Sequence, residues 1–357
     1  MLSRTADHLF WMSRYTERAE NTARMLDVNY QTSLLPQSAE VAEQGWWAML
    51  DISELTNAFD HKYGLLHRDD VIDFMVRDMT NPSSIMSCLR AARENARAVR
   101  GSLTTEVWET LNTTWLDVQR MIADGELRDD PSRFFEWVKF RSHLARGVQF
   151  GTMLKDDAFH FMRLGTFLER ADNTARILDV KFQASGRRDE DDLAFQGGQL
   201  QSQNQGGGSQ SQSQSQSQDG GGQSQSQLQN DDLNREQNDF YHWAAVLRSV
   251  SGFEVYRKIY RAVITPQRVA ELLILRPDMP RSLVSSMDEV VAILALVANQ
   301  QSSETERQAG KLHADLKYAR IDDIFAVGLH AYLTSFLERI GDLGNGISRD
   351  FLVPLAA

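Results

Sequence analysis

Glu17-Arg18 and Glu169-Arg170 open two nearly identical stretches, ERAENTARMLDV over 17–28 and ERADNTARILDV over 169–180, 152 residues apart. The copies differ only at Glu20/Asp172 and Met25/Ile177. On a helix, Glu17, Asn21 and Arg24 stand at i, i+4 and i+7, and the same polar stripe recurs as Glu169, Asn173 and Arg176. These side chains offer two chemistries. Arginine grips a carboxylate or phosphate with paired N–H donors and glutamate holds an amine, which suits recognition of an amino-acid or peptide ligand. Carboxylates at i, i+3, as in Glu17/Glu20 and Glu169/Asp172, are the raw material of a metal centre shared between helices.

The second chemistry is the weaker alternative. Carboxylate-bridged metal bundles use Glu-x-x-His on two helices, and the chain contains none. Its Asp157-x-x-His160 has no counterpart before His8, and both histidines precede the key glutamates by nine residues, on the opposite helix face. Interleaved arginines would also repel a cation, so no metal and no cofactor are expected. Phosphate-binding and dinucleotide-binding glycine loops are missing, as is a Gly-x-Ser-x-Gly elbow. Cys88, the one cysteine, excludes an internal disulfide and reads as a buried structural thiol. No independent catalytic activity is expected.

Positioning these groups requires helices, and helical periodicity runs from end to end. Helices are predicted near 4–31, 40–60, 68–79, 83–100, 104–123, 132–150, 156–184, 235–262, 265–275, 281–300, 302–318 and 322–350. The class is all-α, a multi-helix bundle. Each copy carries an apolar seam: Leu9, Met12, Thr16, Ala19, Ala23 and Leu26 in the first, Phe161, Leu164, Leu168, Ala171, Ala175 and Leu178 in the second. Small residues at mid-seam invite close approach of a partner helix. A weaker third copy, FLERIGDLGNGI over 336–347, places Glu338, Arg339 and Asp342 on a helix expected to join the same cluster. The segment CLRAARENARAVRG over 88–101 supplies Arg93, Glu94 and Arg97 as further countercharges. Buried charges are unfavourable unless paired, so the helices are expected to form a shared Glu/Arg network. Such a network, purely structural, is itself an alternative to ligand binding.

Between 186 and 238 the composition turns to Gln, Ser and Gly without apolar periodicity, and a disordered insertion is predicted within a single domain spanning 1–357. A net charge of −11 argues against nucleic acid. The first twenty residues lack the apolar stretch of a signal peptide, and no run of about 18 apolar residues occurs, so a cytoplasmic protein without membrane association is expected.

With its Glu-Arg pairs, NPSSIMSCLRAARENARAVRG in the first half and FLERI near the end, the chain resembles the bacterial Alpha-E proteins, an all-helical family named for a Glu-Arg motif. The motif falls on Glu17-Arg18, Glu169-Arg170 and Glu338-Arg339, the last departing from the pattern at Gly341 and Asn345. This resemblance implies partnership with a circularly permuted ATP-grasp amide ligase and a transglutaminase-like protein, in peptide or amide-bond metabolism. The expected role is that of an accessory or binding protein.

Overall fold

The computed structural model describes residues 1–36, 38–203 and 240–352, the side chains of 184–203 excepted. Among them every regular element is a helix. In order these are α1 (Ser3–Ser33), α2 (Ala39–Ile52), α3 (Thr56–Tyr63), α4 (Arg68–Val76), α5 (Ile85–Ala98), α6 (Thr105–Ala123), α7 (Glu126–Asp129) and α8 (Pro131–Thr152). Then come α9 (Asp157–Gln203), α10 (described over 240–249), α11 (Phe253–Tyr260), α12 (Pro266–Leu275), α13 (Leu283–Val297), α14 (Ser303–Lys317), α15 (Ile321–Val327) and α16 (Leu329–Phe351). Starts follow local chemistry. Ser84, Thr104, Asp130, Thr265 and Ser282 each accept a hydrogen bond from a first-turn backbone N–H, and Pro131 and Pro266 occupy a first helical turn.

Three predicted helices are each two. The segment expected over 40–60 breaks at Glu54 (φ 56°), and that over 235–262 breaks at Ser251 (φ 55°). In both, a reversed backbone returns the chain to the last turn: the Leu55 N–H donates to the Leu50 carbonyl, and the Gly252 N–H to that of Leu247. Gly328, at φ 100°, likewise separates α15 from α16. α9 runs on to Gln203, into the tract predicted to begin at 186. The remainder of that tract, 204–238, lies outside the described residues.

The duplication is wider than the repeated twelve residues. α1 lies along α9; α5 and α8 flank α1 as α13 and α16 flank α9, with α6 and α14 closing the two sides. Pro82-Ser83-Ser84-Ile85 leads into α5 as Pro280-Arg281-Ser282-Leu283 leads into α13, and both serines cap. Phe135, Val138, Ser142 and Gln149 of α8 are buried in the same register as Leu333, Phe336, Ile340 and Ile347 of α16. Among the described residues each half therefore contributes eight helices. The seam is confirmed: Leu9, Ala19, Ala23, Leu26, Leu164, Ala171, Ala175 and Leu178 are fully buried. One hydrophobic core runs through both halves. α1 and α9 touch backbone to backbone at Gly165, where a Cβ would lie 2.3 Å from the Phe10 carbonyl oxygen.

Candidate functional site

Because α1 and α9 are central, each is covered on several faces, and the first polar stripe (Glu17, Asn21 and Arg24) and Glu169 of the second go inside with the seam. Glu17, Glu20, Asn21 and Glu169 are at most 4% exposed. The two Glu-Arg pairs cross. Arg170 donates from Nε to Glu17 Oε1 (3.0 Å) and from Nη2 to Oε2 (3.2 Å), while Arg18 donates from Nε to Glu169 Oε1 (2.6 Å) and from Nη2 to Oε2 (3.0 Å). Each adjacent Glu-Arg pair on one helix thus clasps the pair on the other. Neighbours on one helix point about 100° apart and cannot satisfy each other, which is why the partners come from across the interface.

Around Glu17 the arrangement is closed. Arg281, just before α13, donates to Glu17 Oε1 (2.9 Å), Glu20 Oε1 (2.6 Å) and Asn21 Oδ1 (2.8 Å). Arg146 of α8 reaches Glu17 Oε2 (2.8 Å) and also pairs with Glu20, and Arg24 donates to Glu20 Oε1 (2.5 Å). Around Glu169 it is more open. Arg14 donates to Glu169 Oε2 (2.8 Å), Arg176 pairs with Asp172 (2.8 Å) and Glu54, and Asp172, Asn173 and Arg176 are only half-buried. A cavity of about 220 Å³ opens there, bordered by Glu54, Ser83, Asp172, Asn173 and the α1 residues Arg18 and Asn21. Two larger clefts near α4, about 550 and 560 Å³, share Arg68 and Asp69, which pair with each other.

Electrostatics keep the buried acids ionised. Burial pushes the Glu17 carboxyl up, but Arg170, Arg281 and Arg146 outweigh it and hold it below the ordinary range. Glu20 is likewise raised by burial and lowered further by Arg281, Arg146 and Arg24, and Glu169 is brought down against burial by Arg14 and Arg18. Complete burial draws Arg281 below its usual value despite Glu17 and Glu20, yet a guanidinium stays charged in a protein. Since the three carboxyls titrate lower folded than unfolded, their stabilisation is full above the unfolded glutamate value, about pH 4.3. It is lost as pH falls through the folded values. The urea midpoint should therefore hold steady from neutral pH to about pH 5 and drop steeply below about pH 4. An unchanged midpoint down to pH 3 would mean the acids are not paired as described.

Six expected members lie elsewhere. Glu338 and Asp342 are exposed on α16, and Arg339 pairs with Asp315 of α14 (2.7 Å), so the third copy does not join the network. α16 is the counterpart of α8, with one buried face, and its Glu-Arg falls on the outer one. Arg93, Glu94 and Arg97 pair among themselves on the outside of α5, Arg93 also reaching Asn112 (3.1 Å). The countercharges come instead from Arg14, Arg146 and Arg281, for which the sequence offers no periodic signal. Cys88 is buried and its thiol is pushed up to about 12 by burial, which leaves it unreactive. Among the described residues no group of three or more His, Cys, Asp or Glu side chains gathers where an ion could be held. The oxygens that the metal alternative required face guanidiniums.

An all-helical protein with two crossed Glu-Arg pairs on duplicated central helices is what this fold and site define. The chain belongs to the Alpha-E family, described as a predicted alpha-helical domain with a conserved ER motif, whose model matches residues 1–205 and 213–352. No curated protein and no solved structure matches. Among the described residues no helix is long and apolar enough to cross a membrane.

Proposed function

We propose that this protein is an accessory binding module, with the crossed Glu-Arg network as its frame and the open side of that network as its ligand site. The difference between the two cradles carries this reading: the one around Glu17 is filled by the chain's own arginines, and the one around Glu169 borders a cavity. A catalytic role finds little support in the network. Glu17, Glu20 and Glu169 are held ionised by guanidiniums, so they are poor proton donors near neutral pH and weak bases. The ligand class suggested by mixed carboxylates, guanidiniums and amides is an amino acid or peptide.

On the resemblance to Alpha-E proteins, the module works in the cytoplasm beside an ATP-grasp-type amide ligase and a transglutaminase-like protein. Affinity purification of the tagged chain from its native cell, followed by identification of bound proteins, tests the partnership. Enrichment of an ATP-grasp-type protein is the expected result. Recovery of the chain with neither partner, under conditions that preserve known complexes, would set the partnership aside.

A further inference from the structure

The open cradle lacks the counterpart of the arginine that closes the other one. By the duplication, Ser83 stands where Arg281 stands, and Gly344 stands where Arg146 stands. In the first half the Arg281 guanidinium sits among Glu17, Glu20 and Asn21 at 2.6–2.9 Å. The corresponding residues in the second half are Glu169, Asp172 and Asn173. Ser83 is too short to reach them, and the cavity of about 220 Å³ lies between.

Two further observations point to a ligand. Asn21 is 2% exposed and borders the cavity, and its Nδ2 has no hydrogen-bond partner, an unfavourable state for a buried donor. The charge balance is also less hostile to a cation here than around Glu17, even with Arg18 and Arg176 bordering the cavity and Arg176 already paired with Asp172 and Glu54. Without Arg281, the first cradle sets Glu17 and Glu20 against Arg24, Arg146 and Arg170. The second sets Glu54, Glu169 and Asp172 against Arg14, Arg18 and Arg176, one acid more for the same number of arginines. If the more positive cradle holds a guanidinium, the less positive one is the better host. Its openness also spares a ligand the full desolvation that Arg281 undergoes.

We propose that the cavity binds the guanidinium group of an arginine-like ligand, free or as a peptide side chain, in the place that Arg281 takes in the other half. The cation lies against Asp172, Asn173 and Glu54, and an acceptor oxygen of the ligand can take the Asn21 Nδ2 proton. This rests on the reading of the open cradle as a ligand site and names its ligand.

Calorimetric titration of the full chain with L-arginine, agmatine, L-citrulline, L-glutamate and a blocked Gly-Arg-Gly peptide tests it. Saturable binding of one guanidinium compound per chain is expected, with neutral citrulline weaker by about tenfold or more. Binding of arginine and agmatine indicates a small molecule, whereas binding of the peptide alone indicates a partner's side chain. Ser83→Arg should supply the guanidinium in cis, abolish binding and raise the melting temperature. Asp172→Asn, on a half-exposed side chain, should weaken binding about tenfold and decides the matter if Ser83→Arg does not fold. Citrulline binding as well as arginine, or Ser83→Arg folding with binding undiminished, would overturn the proposal. So would the lack of saturable guanidinium binding up to about 10 mM. Binding of L-glutamate alone would overturn the guanidinium while leaving the cradle a ligand site.

Discussion

Glu17→Gln should cost about 3–5 kcal/mol of folding stability, the range for removing one member of a fully buried ion network. Glu17 is 1% exposed and accepts from Arg170, Arg281 and Arg146, which arrive from α9, from the entry to α13 and from α8. Glutamine has nearly the same shape, so packing is preserved and the charge alone is tested. One of its two terminal groups becomes a donor facing other donors; Arg281 and Arg146 keep their pairing with Glu20, and Arg170 loses the carboxylate it grips. Urea unfolding followed by circular dichroism at neutral pH measures the effect. Glu338→Gln, on the exposed third copy, is the control and should leave stability nearly unchanged. Equal effects of the two substitutions would show that the crossed pairs do not hold the halves together. The same substitution should also flatten the acid limb of the pH profile, because one depressed carboxyl is gone.

Gly165→Ala should destabilise the protein although alanine is the better helix former by about 1 kcal/mol. The new Cβ would stand 2.3 Å from the Phe10 carbonyl oxygen and 3.1 Å from its carbon, and backbone cannot rotate aside as a side chain can. Relief requires α1 and α9 to part, and overpacking of this kind costs about 1–3 kcal/mol, occasionally more. The separation would also stretch the Arg170–Glu17 and Arg18–Glu169 bonds, which span the same helix pair. A net loss at or above that range is therefore expected, with unfolding at a higher pH on acid titration. Gly341→Ala on α16 meets nothing within 4 Å and should instead stabilise by about the propensity difference. A Gly165→Ala protein as stable as the parent would mean that the two central helices are not in contact as described.

Helices, seams and the two matching polar stripes were legible in the sequence because each is a local property. A period of 3.6 marks the buried face, and two copies of one polar stripe imply that the surroundings of both are polar and enclosed. That Glu17 and Glu169 would find arginines on other helices followed from the geometry of adjacent residues on a helix, whereas their reciprocal pairing with Arg170 and Arg18 did not. Tertiary structure alone decided which arginines complete the network. Arg281 is 264 residues from Glu17 and sits in a connection, where no periodicity marks it. Arg146 looks like any exposed cation until α8 is laid against α1. The third Glu-Arg misled for the same reason. A central helix is covered on several sides, so most of its polar stripe is buried; a peripheral one such as α16 buries a single face, from Leu329 through Leu333, Phe336, Ile340, Leu343, Gly346 and Ile347 to Phe351, and turns Glu338 to solvent. Identical letters take their meaning from how many neighbours a helix has, and that number is set by packing across the whole chain.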